Sequence, residues 1–294
     1  MRTLNIVGAG RLGRTLGRLW QENGFFRVQA VCNRSEGSSR AAAQFIAAGN
    51  PGALPRVFTD IAQMPPADCW LLATGDRQIA AAARELATSG LAREAVVFHC
   101  SGALDASTLA PCHPAALASA HPVHSFAEPQ QSLHTLAGST VALEGDETAV
   151  TLLQEAFVAL DCRPLSLAGA DKSLYHAASV LGCNYLTALL DLSLRAYERA
   201  GIGREQALAM LGPIATQTLE NNLRLGPEGA LTGPIARGDI DTVQAHLAAL
   251  EATDPVLLQC YRQLGRACVQ VAQRGHLDRD SAARLEQLLS EQEP

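Results

Sequence analysis

Lysine is all but missing from this chain of 294 residues: of its 23 basic side chains, 22 are Arg and one, Lys172, is Lys. The basic residues are scattered, never run together, and the net charge is −6, so the chain lacks the electrostatic footprint of a nucleic-acid or anionic-membrane partner. Eight cysteines, at 32, 69, 100, 112, 162, 183, 260 and 268, form no CxxC pair and no His/Cys cluster at zinc spacing. Neither a metal centre nor a disulfide scaffold is expected, and the thiols read as those of a reducing compartment. No apolar run approaches the roughly 20 residues of a membrane span, and Met-Arg leads straight into a strand pattern with no leader. Cytoplasmic location and a small-molecule ligand are the expectations.

What is present is a 48% hydrophobic chain, long enough for two domains. Up to about position 166, short β-branched or apolar runs alternate with Ala-rich amphipathic segments, the pattern of a doubly wound, mostly parallel sheet covered by helices. Strands are predicted at 4–7, 28–32, 69–73, 96–99, 118–121, 140–143 and 163–165, with a helix at 147–160. Past Gly169 nothing reads as a strand, and helices are predicted at 171–200, 204–222, 239–250, 253–274 and 279–291. The division is therefore a Rossmann-type domain over 1–166 and an all-helical domain over 167–294. With no low-complexity linker between them, the two are expected to pack directly around a cleft.

The sharpest motif is Gly8-Ala-Gly10-Arg11-Leu12-Gly13, placed between a strand and the helical stretch 14–23. A first glycine permits the tight turn, a second lets backbone approach a pyrophosphate, and a third allows close helix–strand packing, while free N–H groups at the helix start face the phosphates. The second strand ends in Cys32-Asn33-Arg34-Ser35, with no Asp or Glu for the ribose hydroxyls of NAD. Arg34, flanked by Asn33 and Ser35, instead offers a guanidinium suited to the 2′-phosphate of NADP, although an Arg here can also simply face solvent. Thr74, Gly75 and Asp76, after the 69–73 strand, are further cofactor contacts, and Ser101 follows the 96–99 strand at the same sheet edge.

For chemistry, His121 follows the next strand and could exchange a proton near neutral pH, or serve as a buried, hydrogen-bonded histidine. Lys172 and His176 are four apart and share a helix face; Asn184, twelve past Lys172, lies about 120° around an ideal helix. A cation in a first helical turn opposes the helix dipole. A lysine both rare and ill-placed electrostatically is a better candidate for proton transfer than a solvated one. Asp239 reads as the N-cap of the helix that follows it.

Taken together, Gly8–Gly13, Asn33-Arg34-Ser35, Ser101-Gly102, His121-Pro122, Lys172 with Tyr175, His176 and Asn184, and the segment 232–239 resemble a known grouping. It comprises Rossmann-like proteins with a helical C-terminal domain, relatives of the 6-phosphogluconate and 3-hydroxyisobutyrate dehydrogenases and of pyrroline-5-carboxylate reductase. The resemblance implies NADP binding, a 6-phosphogluconate-dehydrogenase-like helical domain, a homodimer formed through the helices, and Lys172 as general acid/base. His176 stands where those dehydrogenases carry an asparagine, and Gly75 where many relatives carry a proline. The expected activity is hydride transfer between the nicotinamide and a carbonyl or imine, with His121, Ser101, His176 and Asn184 orienting the substrate. The rival is a non-catalytic NADP(H) sensor, which needs the glycine turn and Arg34 but not Lys172.

Overall fold

The computed structural model describes residues 1–48, 50, 54–167 and 171–290, so the break expected at Gly169 lies outside them. The chain divides into two compact units, Met1–Gly182 and Cys183–Pro294.

The first unit is built on one sheet of eight strands: β1 (Arg2–Val7), β2 (Phe26–Cys32), β3 (Arg56–Phe58), β4 (Cys69–Leu72), β5 (Val96–His99), β6 (Ala116–Pro122), β7 (Thr140–Gly145) and β8 (Arg163–Ser166). Their order is β3-β2-β1-β4-β5-β6-β7-β8. Every neighbouring pair is parallel except β6 with β7. Parallel strands are covered on both faces and become apolar throughout; all four residues of β4 and of β5 are buried. Alternation of side chains deals them into two cores. Leu4, Ile6, Leu71 and Phe98 belong to one face, Val7, Trp70, Leu72 and Val97 to the other.

Helices α1 (Arg11–Glu22), α2 (Glu36–Ala47), α3 (Asp76–Ser89), α4 (Pro129–Thr135), α5 (Glu147–Val158) and α6 (Lys172–Ser179) complete this unit. Trp20 of α1 is fully buried, edge-on to Phe26, Phe98 and Phe157, and its indole N–H donates to the Ala156 carbonyl at 2.8 Å. The helix that begins at the glycine turn is thereby seated on α5.

The second unit contains α7 (Tyr185–Arg199), α8 (Arg204–Ala230), α9 (Ile240–Glu251), α10 (Pro255–Arg274) and α11 (Arg279–Ser290). Val243, Leu247, Val269, Ala282, Leu285 and Leu289 form its core. Asp239 caps α9 as expected, accepting from the Thr242 N–H. Gly226, at φ +73°, interrupts α8, a conformation that suits glycine.

Four features depart from the sequence reading. The first unit runs on to Gly182 instead of stopping at 166, because α6 is bonded to the sheet through Lys172 and Tyr175. β3 and α4 were not foreseen; they span only three and seven residues. The helix expected over 171–200 contains a π turn at Val180–Asn184. Finally, Lys172–Arg199 is, by length and composition alone, apolar enough to cross a membrane, because an 18-residue window within it reaches a mean hydropathy of 1.3.

Candidate functional site

In a sheet of order 3-2-1-4-5-6 the order in which the parallel strands are added reverses between β1 and β4, and in such sheets the ligand crevice lies beyond their carboxyl ends. The glycine turn stands there. Gly8 has φ +82°, and a Cβ on it would lie 2.6 Å from the backbone nitrogen of Thr74. Gly13 is packed against Ala73 and Ile6. Gly10 differs from both: the nearest atom to a Cβ there is the Gly8 carbonyl oxygen at 3.9 Å, so this glycine faces open space. No side chain caps α1, whose first residues are Arg11, exposed, and Leu12, packed on the core.

Across the crevice the Thr74 hydroxyl is buried without a partner, next to Gly8. A buried orphan hydroxyl at this edge is what a ligand hydroxyl or amide would satisfy. Gly75 and Asp76, both exposed, begin α3. Beyond β2, Arg34 is exposed, while Asn33 and Ser35 shape the turn around it. The Asn33 N–H donates to Ser39 Oγ at 2.8 Å, and Ser35 Oγ accepts from the Ser38 N–H as the cap of α2. An open glycine, an unpaired hydroxyl and an exposed guanidinium fit a dinucleotide phosphate.

The β5–β6 end of the same edge gathers the second set. His121 Nδ1 lies 2.9 Å from the Tyr175 hydroxyl, and its ring meets His176 edge-on at 5.8 Å. Gly102 makes this packing possible: a Cβ there would come within 2.3 Å of His176 Nδ1 and 2.9 Å of His121 Cε1. His176 Nδ1 is buried and unpaired. Burial, reinforced by His176 and Lys172, pushes His121 down to about 4, so this imidazole is neutral at physiological pH instead of titrating near it. It can still orient a hydroxyl or accept a hydrogen bond.

Ser101 is buried, and its Oγ accepts from the N–H groups of Ala103 and Leu104, which makes it a turn-forming residue. His99, unremarked in the sequence, explains the rest of this loop. Its Nδ1 accepts from the Ser101 N–H at 3.2 Å and its Nε2–H donates to the Asp105 carbonyl at 3.0 Å, which fixes one neutral tautomer.

Lys172 is 9% exposed. Its ammonium donates to Ser119 Oγ on β6 and to Glu144 Oε1 on β7, the latter at 3.1 Å. Burial draws its pKa below the ordinary lysine range, and Glu144 opposes that pull. Lys172, Glu144 and Asp105 line a cavity of about 940 Å³ together with Ser107, Glu147 and Asp171. Asn184 closes the π turn and falls in the second unit. The extra residue per turn there removes the ideal-helix angle from which its place near Lys172 was reckoned. Tyr175 is among the residues that carry the resemblance, without a role of its own; Ser119, Glu144 and His99 are not marked by the sequence, and the one signal for Glu144 is a charged residue inside the apolar run Thr140–Gly145.

The fold and crevice define a Rossmann-like protein, and residues 2–122 match the Rossmann-like domain. Residues 139–268 match a domain of unknown function (DUF2520). The first match thus spans β1 to β6, and the second runs from β7 and β8 through the helices into α10. Its fold is shared with a Bacteroides fragilis protein carried under the provisional name NADP oxidoreductase, at 22% identity and TM-score 0.76, over 91% of this chain and 97% of that one. It is shared also with an imine reductase from Myxococcus stipitatus solved with NADP+, at 14% identity and TM-score 0.64, over 96% and 99%. A Plasmodium falciparum pyrroline carboxylate reductase with NADP bound matches at 10% identity and TM-score 0.58, over 98% of each chain. No curated protein matches the sequence.

Proposed function

We propose that this protein is an NADP-dependent oxidoreductase acting on a carbonyl or imine carbon of a small molecule. The observation that carries the reading is Gly10, a glycine with open space before it at the switch point of a 3-2-1-4-5-6 sheet. Gly8, Gly10 and Gly13, with the N–H groups of Arg11 and Leu12 at the start of α1, would hold the pyrophosphate. Arg34, assisted by Asn33 and Ser35, would take the 2′-phosphate. Thr74, Gly75 and Asp76 would border the ribose and nicotinamide. The bound nucleotide supplies or accepts the hydride.

The chain's own residues then supply position and a proton. Lys172 is the proton donor in the reducing direction, giving one proton to the oxygen or nitrogen of the substrate and regaining it from solvent. His121, neutral, and Tyr175 present a hydrogen-bonded pair that orients the substrate, with His176 beside them. Ser101 and Gly102 shape the loop against which the imidazoles pack. Asn184 remains a candidate for substrate contact. A second copy of the chain is proposed as the partner, since Leu186, Leu189, Leu208, Ile214, Leu219 and Leu223 on α7 and α8 are exposed; light scattering at twice the monomer mass is the expected result.

Calorimetric titration with NADPH and NADH, on the wild type and on Arg34→Ala, tests the cofactor assignment. A charge-assisted phosphate contact is worth about 1.5–3 kcal/mol, so NADPH affinity should fall roughly 10- to 100-fold in the mutant while NADH binding changes little. Failure of both nucleotides to bind the wild type would refute the reading. Lys172→Met separates an enzyme, which would lose turnover, from a sensor, which would keep its full response.

A further inference from the structure

Three polar side chains stand in one row across the sheet: His99 of β5 is in register with Ser119 of β6, and Ser119 with Glu144 of β7. Neighbours in register point to the same face, which elsewhere is lined by Val97, Leu117 and Trp70. Polar groups on such a face need partners to offset their desolvation. His99 has two backbone partners in the loop after β5. Ser119 accepts from Lys172. Glu144 Oε1 receives both the Lys172 ammonium and the Ala106 N–H, at 3.1 and 2.9 Å.

We propose that Glu144 is the positioning residue for Lys172, fixing the ammonium over β6 and tying it to the loop that carries Ser101 and Gly102. The geometry stands without any assumption about activity, although its catalytic meaning rests on the oxidoreductase reading.

Two forces act against an ammonium at this place: burial, and the positive end of the helix that Lys172 begins. Ser119 accepts a hydrogen bond from the ammonium but brings no opposite charge. The other ionisable groups around Lys172 are Asp105 and Cys100 after β5, His99 on β5, His121 on β6, Glu147 on α5, and Asp171 and His176 at the cap and in the second turn of its own helix. Asp105 spends its Oδ1 on Ser107, and Asp171 caps α6 through the Leu174 N–H. Burial keeps His99 and His121 below, and the Cys100 thiol above, their ordinary values, so these three stay neutral. Glu144 is the carboxylate bonded to the ammonium. Two of the three N–H bonds of Lys172 are thus directed at the sheet, and the third is left for a substrate atom.

Because Lys172 is the sole lysine, the full-length protein grown with [13Cε]lysine gives a single lysine resonance that needs no assignment. Its titration midpoint reads the charge on Lys172 directly. Glu144→Gln keeps an oxygen for the Ala106 N–H and removes only the charge, so the midpoint should move down by about one unit or more. Asp105→Asn, which removes a nearby unbonded charge, should move it by less than half as much. An unchanged or raised midpoint in Glu144→Gln, or an equal shift in Asp105→Asn, overturns the proposal. A measurement on the wild type guards against a variant that folds poorly: an ammonium held in a fixed pair shows a 1H–15N correlation at Nζ near pH 6, whereas a free one exchanges too fast to be seen, and its absence also overturns the proposal. NADPH titration of the same samples reports separately on the oxidoreductase reading, which can fail while the Glu144–Lys172 pair stands.

Discussion

Gly8 and Gly10 are two residues apart and chemically identical, yet the structure assigns them opposite reasons for being glycine. Replacing Gly8 with Ala places a methyl group 2.6 Å from Thr74 N and 2.7 Å from Thr74 Cα, backbone atoms that rotamer changes cannot clear. The φ of +82° adds about 1–2 kcal/mol of left-handed strain. Overpacking of a well-filled site costs about 1–3 kcal/mol, and relief would require parting β1 from β4 where the Ala73 N–H bonds the Val7 carbonyl at 2.7 Å. Gly8→Ala should therefore lose about 2–5 kcal/mol in urea denaturation followed by circular dichroism. Gly10→Ala meets nothing within 3.9 Å and has ordinary negative φ. It should stay within about 0.5 kcal/mol of wild type but lose at least tenfold in NADPH affinity, because the new methyl occupies the space for the pyrophosphate. A Gly8→Ala protein as stable as wild type, or a Gly10→Ala protein that binds NADPH normally, would refute the division of roles.

Two further outcomes follow from the imidazole cluster. Gly102→Ala should displace the His176 ring and disturb the His121–Tyr175 hydrogen bond, seen as shifted imidazole resonances of both histidines with the far-UV spectrum preserved; unmoved resonances would contradict the packing. His121, depressed to about 4, should remain neutral by NMR down to pH 5. Since the folded protein binds this proton less readily than the unfolded chain, its contribution to stability is full above the unfolded value near 6.5 and is lost as pH falls from there towards 4. A midpoint above 6 for His121 would contradict the burial argument.

Much of this was legible in the sequence. The glycine turn, the strands 4–7, 28–32 and 96–99 and the helix from 147 follow from local pattern, because each is a run of residues whose spacing matches its own geometry. β3 has three residues, too few for any period to show. The π turn at Val180–Asn184 could not be foreseen from a helical repeat that it interrupts. Lys172 was singled out by scarcity, but its partners were not. Ser119, Glu144 and His99 meet through strand register, and Tyr175 reaches His121 across 54 residues of sequence, relations that no window of neighbouring residues contains. The strand predicted at 140–143 stopped one residue short of the carboxylate that matters most.

The seating of Trp20 bears on how the protein is made. Its indole, and the Asn23 amide three residues on, both bond carbonyls in or after α5, at Ala156 and Ala159. A ribosome that has reached Pro122, where the Rossmann-like match ends, has released β1, β2 and α2 for α1 to pack on, but none of α5. The Trp20 indole then has Phe26 and Phe98 for neighbours, and the carbonyl that takes its N–H emerges only 136 residues after it, followed by Phe157. A fragment cut at residue 122 would keep the nucleotide fingerprint and lose the Phe157 ring and the two carbonyls that complete the setting of Trp20 and Asn23.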